Sequence, residues 1–248
     1  MIRRLLAMAA VFIAIAALAA AQKKVSKKEY DAFMAIQNAT TPDARMEAAD
    51  NFVEKFADSS LKSTALFMAA DAAERKNDTA KAITYAQSAL EADPKSYEAM
   101  LLISGELART TREHDLDKDD KLARAEKYAN DAVAALNTAS KPNASTPDDQ
   151  WNNFKKERMA EAHRDLAMIA VARKKYDVAI NEFQAAMDTN PTPDPTTMIR
   201  MAGAYNQAGK PDEAVALLDK VLAMPDLPPQ LKPFAQSEKA RAEAARKK

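Results

Sequence analysis

The one stretch of this 248-residue chain whose residue types and spacing could bind a metal runs from Asp115 to Glu126. Asp115, Asp117 and Asp119 alternate, and Glu126 is the twelfth residue counted from Asp115. Carboxylates at such places of a twelve-residue loop are typical Ca²⁺ ligands. The sixth place, which favours glycine for a sharp turn, is Asp120. Two interpretations stay open: a Ca²⁺ site, or the one we favour, a solvated loop in which Asp119 or Asp120 caps the next helix.

Residues that usually carry catalysis are scarce. The chain has no cysteine, two histidines and three glycines, so thiolate chemistry, histidine-based sites and glycine-rich phosphate loops have little to build on. We expect His114, beside the acidic run, to be a solvated loop residue. His163 replaces an apolar residue on a helical stripe, and we expect it to be buried and hydrogen-bonded. The sequence therefore predicts no enzyme and no cofactor.

The charge balance bears on the kind of partner. Lys and Arg total 36, Asp and Glu total 36, and the formal net charge is zero. Aromatic residues make up 6% of the chain, too few to interleave with a basic groove for single-stranded nucleic acid. We therefore expect no nucleic-acid partner.

Residues 1–21 have the pattern of an export signal. Arg3 and Arg4 precede an uncharged apolar run from Leu5 to Ala20, and Ala21 completes a small-residue cleavage motif. The apolar run of 16 residues is shorter than the roughly 20 that a membrane-spanning helix needs. We expect cleavage, then a short linker at 22–28 and a periplasmic or secreted protein with no stable membrane span. Retention of the leader as an anchor is the alternative.

Small residues recur along the remainder at a nearly constant interval. Ala48 and Ala82 are 34 residues apart, and Ala179 and Ala214 are 35 apart. Each candidate second helix has a small residue followed four positions later by a second apolar one, in the pairs Ala48/Phe52, Ala82/Ala86, Ala125/Ala129, Ala179/Phe183 and Ala214/Leu218. This spacing places both members on one helix face and predicts a helical repeat.

The first helix of each unit carries a matching stripe. Met198, Met201 and Ala202 in the last unit correspond to Leu66, Ala69 and Ala70 in the second. The two helices of the last unit are separated by a turn in which Gly209 suits a helix C-cap. Pro211 then suits the first turn of the next helix.

These offsets resemble the tetratricopeptide repeat (TPR), a helix–turn–helix unit of 34 residues. The predicted repeats are 29–62, 63–96, 97–139, 160–193 and 195–228. The segment from Phe52 to Ser59 is also similar to units of bacterial cell-envelope TPR proteins. The resemblance implies an all-α, right-handed superhelical solenoid whose first helices line a concave groove. It also implies binding of a peptide or partner protein without catalysis.

Two departures interrupt the regularity. The third repeat carries an insertion near 110–120, which contains the acidic run described above. Before the fourth repeat, Thr146 could cap a helix and Pro147 could be its first residue, so this first helix is predicted to start early, at about 147. Residues 229–248 are predicted to form a capping helix, since the open end of a repeat array must be covered.

The repeat register predicts which residues line the groove. They lie on the first helices, opposite the packing stripe, and are Phe67, Asp71, Glu74, Arg75, Leu101, Arg109, Arg164, Met168, Ile199 and Asn206. An apolar rib flanked by charges of both signs suits an amphipathic or extended peptide. The alternative is that the apolar members only pack against neighbouring repeats.

The favoured function is an exported, non-enzymatic scaffold that binds another protein in the bacterial envelope. Two other classes stay open. One is a Ca²⁺-responsive or enzyme-accessory module that uses the loop from Asp115 to Glu126. The other is a self-associating structural solenoid.

Overall fold

A computed structural model of the chain describes residues 25–190, 192 and 194–247. The predicted signal peptide, residues 1–21, lies outside the described residues. The linker predicted for 22–28 is partly replaced by helix, because Ser26 caps a helix that begins at Lys27. The side chain of Ser26 accepts a hydrogen bond from the Glu29 backbone N–H, and Glu29 bonds back to the Ser26 backbone in a capping box.

Every regular element among the described residues is helical, which confirms the predicted all-α class. The α-helices are α1 Lys27–Asn38, α2 Pro42–Lys55, α3 Lys62–Arg75, α4 Thr79–Ala92, α5 Tyr97–Thr110, α6 Lys118–Thr138, α7 Asp148–Ala172, α8 Tyr176–Thr189, α9 Pro195–Gln207, α10 Pro211–Leu222 and α11 Lys232–Ala245. A short 3-10 turn, Pro229–Leu231, precedes α11. Within this part of the chain, no helix is both long enough and apolar enough to cross a membrane.

The chain divides into two compact units. The first comprises the described residues up to Glu106 together with Asp131–Lys155, and the second comprises Leu107–Asn130 together with residues from Lys156 onward. In the first unit, α1 packs on α2, α2 on α3, and α3 on α4. In the second, α8 packs on α9, α9 on α10, and α10 on α11. Within these two runs of helices, neighbours in sequence are therefore neighbours in space, as a repeat of helix pairs requires.

The core of the first unit is built largely from alanine. Ala69 and Ala73 on α3 and Ala82 and Ala86 on α4 are all completely buried. Alanine is the smallest residue that keeps full helix propensity, so these positions let two helix backbones approach closely. Larger side chains fill the remaining space at one end, where the rings of Phe33 and Phe52 meet edge to face at 5.8 Å.

The second unit mixes alanine with larger apolar residues. Phe183, Leu218 and Val221 are completely buried, and Ala235 and Ala242 of α11 are buried against α9 and α10. The last helix covers an apolar surface that would otherwise be open to solvent. It therefore occupies the place that the first helix of a further repeat would take.

Three of the tight turns between helices have the same backbone conformation. After α3, α7 and α9, one residue adopts a left-handed conformation: Asn77 (φ 58°), Lys174 (φ 60°) and Gly209 (φ 72°). In the last of these turns the Lys210 N–H donates to the Tyr205 carbonyl at 2.9 Å and the Gly209 N–H to the Asn206 carbonyl at 3.3 Å. The first two turns have the same bond pair, so all three satisfy the last helical carbonyls with a Schellman motif. The sequence signalled only Gly209.

The start of α7 differs slightly from the prediction. The helix begins at Asp148, the Trp151 N–H donates to the Pro147 carbonyl at 3.1 Å, and the Thr146 hydroxyl is buried without a hydrogen-bond partner. Thr146 is therefore not the cap. Farther along α7, the rings of Trp151 and Phe154 stack at 5.5 Å, and Phe154 meets Tyr97 of α5 edge to face at 6.3 Å.

Candidate partner-binding surface

One face of α3 carries three of the predicted groove residues at four-residue spacing. Phe67, Asp71 and Arg75 follow each other at i, i+4 and i+8, so one helix face presents all three. Phe67 is half-buried, and the side chains of Asp71 and Arg75 are each 33% exposed. The Nε atom of Arg75 lies 2.8 Å from Oδ2 of Asp71. The face therefore offers an apolar ring and a partly exposed, oriented guanidinium.

A second arginine, on α2, reaches the same carboxylate. The side chain of Arg45 is 12% exposed, and its Nη1 atom lies 4.0 Å from Oδ2 of Asp71. Its Nη2 atom donates to the Ala39 carbonyl at 3.0 Å, while its Nε atom is buried without a partner. Burial and then repulsion by Arg75 lower the pKa of Arg45, and attraction by Asp71 opposes them. The groove prediction missed Arg45 because it considered only first helices.

The other two predicted groove residues of the first unit differ from each other. Glu74 on α3 is half-buried. Leu101 on α5 is only 2% exposed and is therefore part of the packed interior. A side chain this deeply buried cannot contact a partner unless the helices around it rearrange. Of the groove residues predicted in the first unit, those that are partly exposed therefore all lie on α3.

In the second unit the predicted groove residues also divide by burial. Arg109 is exposed, and Arg164 and Met168 are half-buried. Ile199 is 8% exposed and belongs to the core that α9, α10 and α11 share, so it is not open to a partner.

Asn206 faces the capping helix rather than an open groove. Its Nδ2 atom donates to the Glu238 backbone carbonyl at 3.0 Å and to Glu238 Oε2 at 2.9 Å. A Cβ atom added at Gly203, one turn earlier, would lie 3.8 Å from the same carboxylate. The groove register is therefore corrected at this end of the array, because α11 covers the positions that the sequence left open.

The inserted acidic loop is held together by ion pairs with lysines. Glu113 lies 2.6 Å from the Nζ atom of Lys118 and 2.7 Å from that of Lys174. Hydrogen bonds from Lys118 and then Lys174 lower the pKa of Glu113 to about 2. Lys121 pairs in the same way with Asp115 at 3.1 Å and with Asp117 at 2.8 Å.

The four residues of the Ca²⁺ hypothesis are not brought together as one ligand set. Glu126 pairs with Arg173 at 2.6 Å, away from the lysine-bound Asp115 and Asp117. In the described part of the chain, no group of three or more His, Cys, Asp or Glu side chains is arranged to hold a metal ion. The helix-cap prediction also needs correction. Helix α6 begins at Lys118, so Asp119 and Asp120 lie in its first turn, where they favour the positive helix end.

The remaining singled-out residues have structural environments. His114 is exposed on the loop, as expected for a solvated residue. His163 is half-buried rather than fully buried, and its Nδ1 atom lies 2.8 Å from Glu182 Oε2. Leu116, near the middle of the inserted loop, is fully exposed. It is the single apolar side chain between Arg112 and Lys121, so the sequence already showed one leucine within an otherwise polar loop.

Comparisons with known proteins agree with this architecture. Tetratricopeptide repeat families match residues 43–97 and 170–232. No curated protein matches the chain in sequence. Among solved structures, a thermophilic TPR protein of Thermus thermophilus is similar over 89% of this chain and 100% of its own, with 15% identity and a TM-score of 0.54.

Two further structures are more distant. The MamA protein is 19% identical, with 76% of this chain and 88% of that one covered and a TM-score of 0.43. A tetratricopeptide repeat protein from Parabacteroides merdae is 18% identical, with 89% of each chain covered and a TM-score of 0.40. The likeness to the Thermus protein concerns the fold alone. The two matched segments, 43–97 and 170–232, are tetratricopeptide repeats by their family models, and the helix pairs have the architecture of that fold.

Proposed function

We propose that this protein is a non-enzymatic scaffold that binds a peptide or partner protein on the α3 face formed by Phe67, Asp71 and Arg75. The observation that carries the proposal is the partly exposed ring and guanidinium on one face of a TPR helix, with Arg45 of α2 approaching the carboxylate of Asp71 on that face. TPR proteins generally bind protein partners, and this face joins apolar area to oriented charge.

The Arg75 side chain is already oriented in the free protein, which favours the α3 face over other exposed surfaces as a binding site. Arg75 forms an i, i+4 ion pair with Asp71 at 2.8 Å, which restrains its side chain before a partner binds and lowers the entropy lost on binding. Arginine and aromatic residues are also the types most enriched among residues that dominate binding energy at protein interfaces. By contrast, Leu101 and Ile199 are buried and contribute to the scaffold instead.

We further propose that the mature protein acts outside the cytoplasm, in the bacterial envelope. Support comes from the sequence of residues 1–21, with Arg3 and Arg4 before an apolar run. Mass spectrometry of the protein made in an exporting bacterium should find a mature chain beginning near Gln22. An intact Met1 on cytoplasmic protein would contradict export.

The binding face is tested by comparative capture from envelope extract. Three baits are immobilised: the mature protein, a Phe67→Ala/Arg75→Ala variant, and an Arg241→Ala variant that removes an exposed arginine of α11 instead. A partner of the α3 face is retained by the first and third baits and lost from the second. If all three baits retain the same proteins, or the wild type retains none, the proposal fails. Circular dichroism of the baits establishes that each is folded.

A further inference from the structure

The α3 face contains a charge imbalance. Arg45 and Arg75 both approach Oδ2 of Asp71, at 4.0 and 2.8 Å. Among the described residues, Asp71 is the one carboxylate in contact with either arginine. Nearby acids of α2 are engaged elsewhere: Asp43 pairs with a lysine, and Asp50 accepts a hydrogen bond from a tyrosine hydroxyl. Within this cluster of three side chains, two cations share one anion, which is an excess of one positive charge.

This excess charge lies in a partly desolvated place. The side chain of Arg45 is only 12% exposed, and its Nε atom has no hydrogen-bond partner. An unpaired charge is least favourable where solvent screens it poorly. A second anion close to the pair would therefore be stabilised more strongly here than beside an isolated surface arginine.

Donor geometry defines what that anion can be. The Nε atom of Arg75 approaches Oδ2 of Asp71 at 2.8 Å, and the same guanidinium also carries two terminal nitrogens. These nitrogens form the outer edge of a planar guanidinium, which matches the two oxygens of a carboxylate in a bidentate pair. A monoanion neutralises the excess of one charge. A phosphate dianion overshoots it and is repelled by Asp71 more strongly than a singly charged carboxylate, so the charge balance favours a carboxylate.

Resting on the proposed function, we infer that the Arg45–Asp71–Arg75 cluster is a binding site for an aspartate or glutamate side chain of the partner. The incoming carboxylate pairs with the outer edge of Arg75 and is held near the buried charge of Arg45. Phe67, two turns earlier on α3, then contacts an apolar residue of the same segment. The partner segment is therefore acidic and apolar by composition.

The test uses the side-chain Nε–Hε signals of arginine in ¹H–¹⁵N NMR spectra of the full mature protein. The probes are N-acetyl-glutamate amide, which carries one carboxylate, and N-acetyl-glutamine amide, its neutral match. We expect the glutamate probe to shift the Arg75 and Arg45 signals to saturation and the glutamine probe to leave them unchanged. No saturable shift, or equal shifts of every arginine, would overturn the site.

Two variants separate charge from geometry. Arg75→Gln should raise the Kd of the glutamate probe by about tenfold or more, which is the scale expected when a charge-assisted bidentate pair is lost. Arg75→Lys keeps the charge and helix propensity but loses the planar edge, so it should also bind more weakly than wild type. Arg241→Gln on α11 is the matched control and should bind as wild type does. Equal binding by wild type and both Arg75 variants would refute the inference.

The outcomes are separable from those of the proposed function. If the capture experiment finds a partner of the α3 face but the glutamate probe shifts nothing, the scaffold proposal stands and the carboxylate site is wrong. If the probe saturates the two arginines but capture finds no partner of that face, the site is real and the scaffold proposal fails.

Discussion

Replacement of Leu101 by alanine tests how much this buried side chain contributes to the stability of the core. Leu101 is 2% exposed, and the substitution removes three carbon atoms from a packed environment. At about 0.8 kcal/mol per buried methylene, the transfer term alone is about 2.4 kcal/mol. The cavity left behind adds to this loss, so the total should lie in the range of about 2–5 kcal/mol. Alanine retains full helix propensity, so α5 itself is not weakened.

The assay is urea unfolding followed by circular dichroism at 222 nm, with thermal unfolding as a second measure. For a chain of this size, about 2–5 kcal/mol corresponds to a fall in Tm of roughly 4–20 °C. Leu116→Ala is the matched control, because the same substitution at a fully exposed leucine should change stability by less than about 0.5 kcal/mol. Equal unfolding midpoints for the two variants would refute the packing assignment and return Leu101 to the groove.

Other substitutions probe different contacts. Ala82→Leu should destabilise α4 by about 1–3 kcal/mol through overpacking, whereas Ala80→Leu on its exposed face should not, as urea unfolding will measure. Glu113 has a lowered pKa, so its stabilising effect is present above its ordinary value of 4.5 and lost as pH falls toward about 2. Glu113→Gln should therefore flatten the pH dependence of Tm in that window. Asn77→Gly should raise the unfolding free energy by up to about 1 kcal/mol, since φ is 58° there. Asn206→Ala should speed amide hydrogen exchange in α11, because two bonds to the capping helix are lost.

The sequence predicts the helices better than the turns between them. Alanines such as Ala82 and Ala179 repeat at helical spacing, and both are completely buried. The turns were predictable only where glycine signals a left-handed residue, at Gly209. Asn77 and Lys174 adopt the same conformation without that signal, because the cost of a left-handed side chain is small enough for the packing of two helices to override.

Surface assignments depend on long-range packing that a repeat register does not contain. Four-residue spacing correctly places Phe67, Asp71 and Arg75 on one face, since that relation is local to α3. The same register cannot show that Leu101 is buried or that Arg45 approaches α3 from another helix. Both depend on tertiary contacts between segments whose spacing in the sequence carries no periodic signal.

The abundance of alanine in the core limits what alanine-scanning mutagenesis can detect and which substitutions the sequence can accept during evolution. Alanine makes up about half of the buried apolar residues in the described chain. Alanine scanning is silent at such positions, because the residue is already the one that the scan introduces. Divergence there is limited to glycine, which loosens the helix, or to larger side chains, which force the backbones apart. Homologues that carry bulkier residues at these places should therefore show compensating reductions on the facing helix.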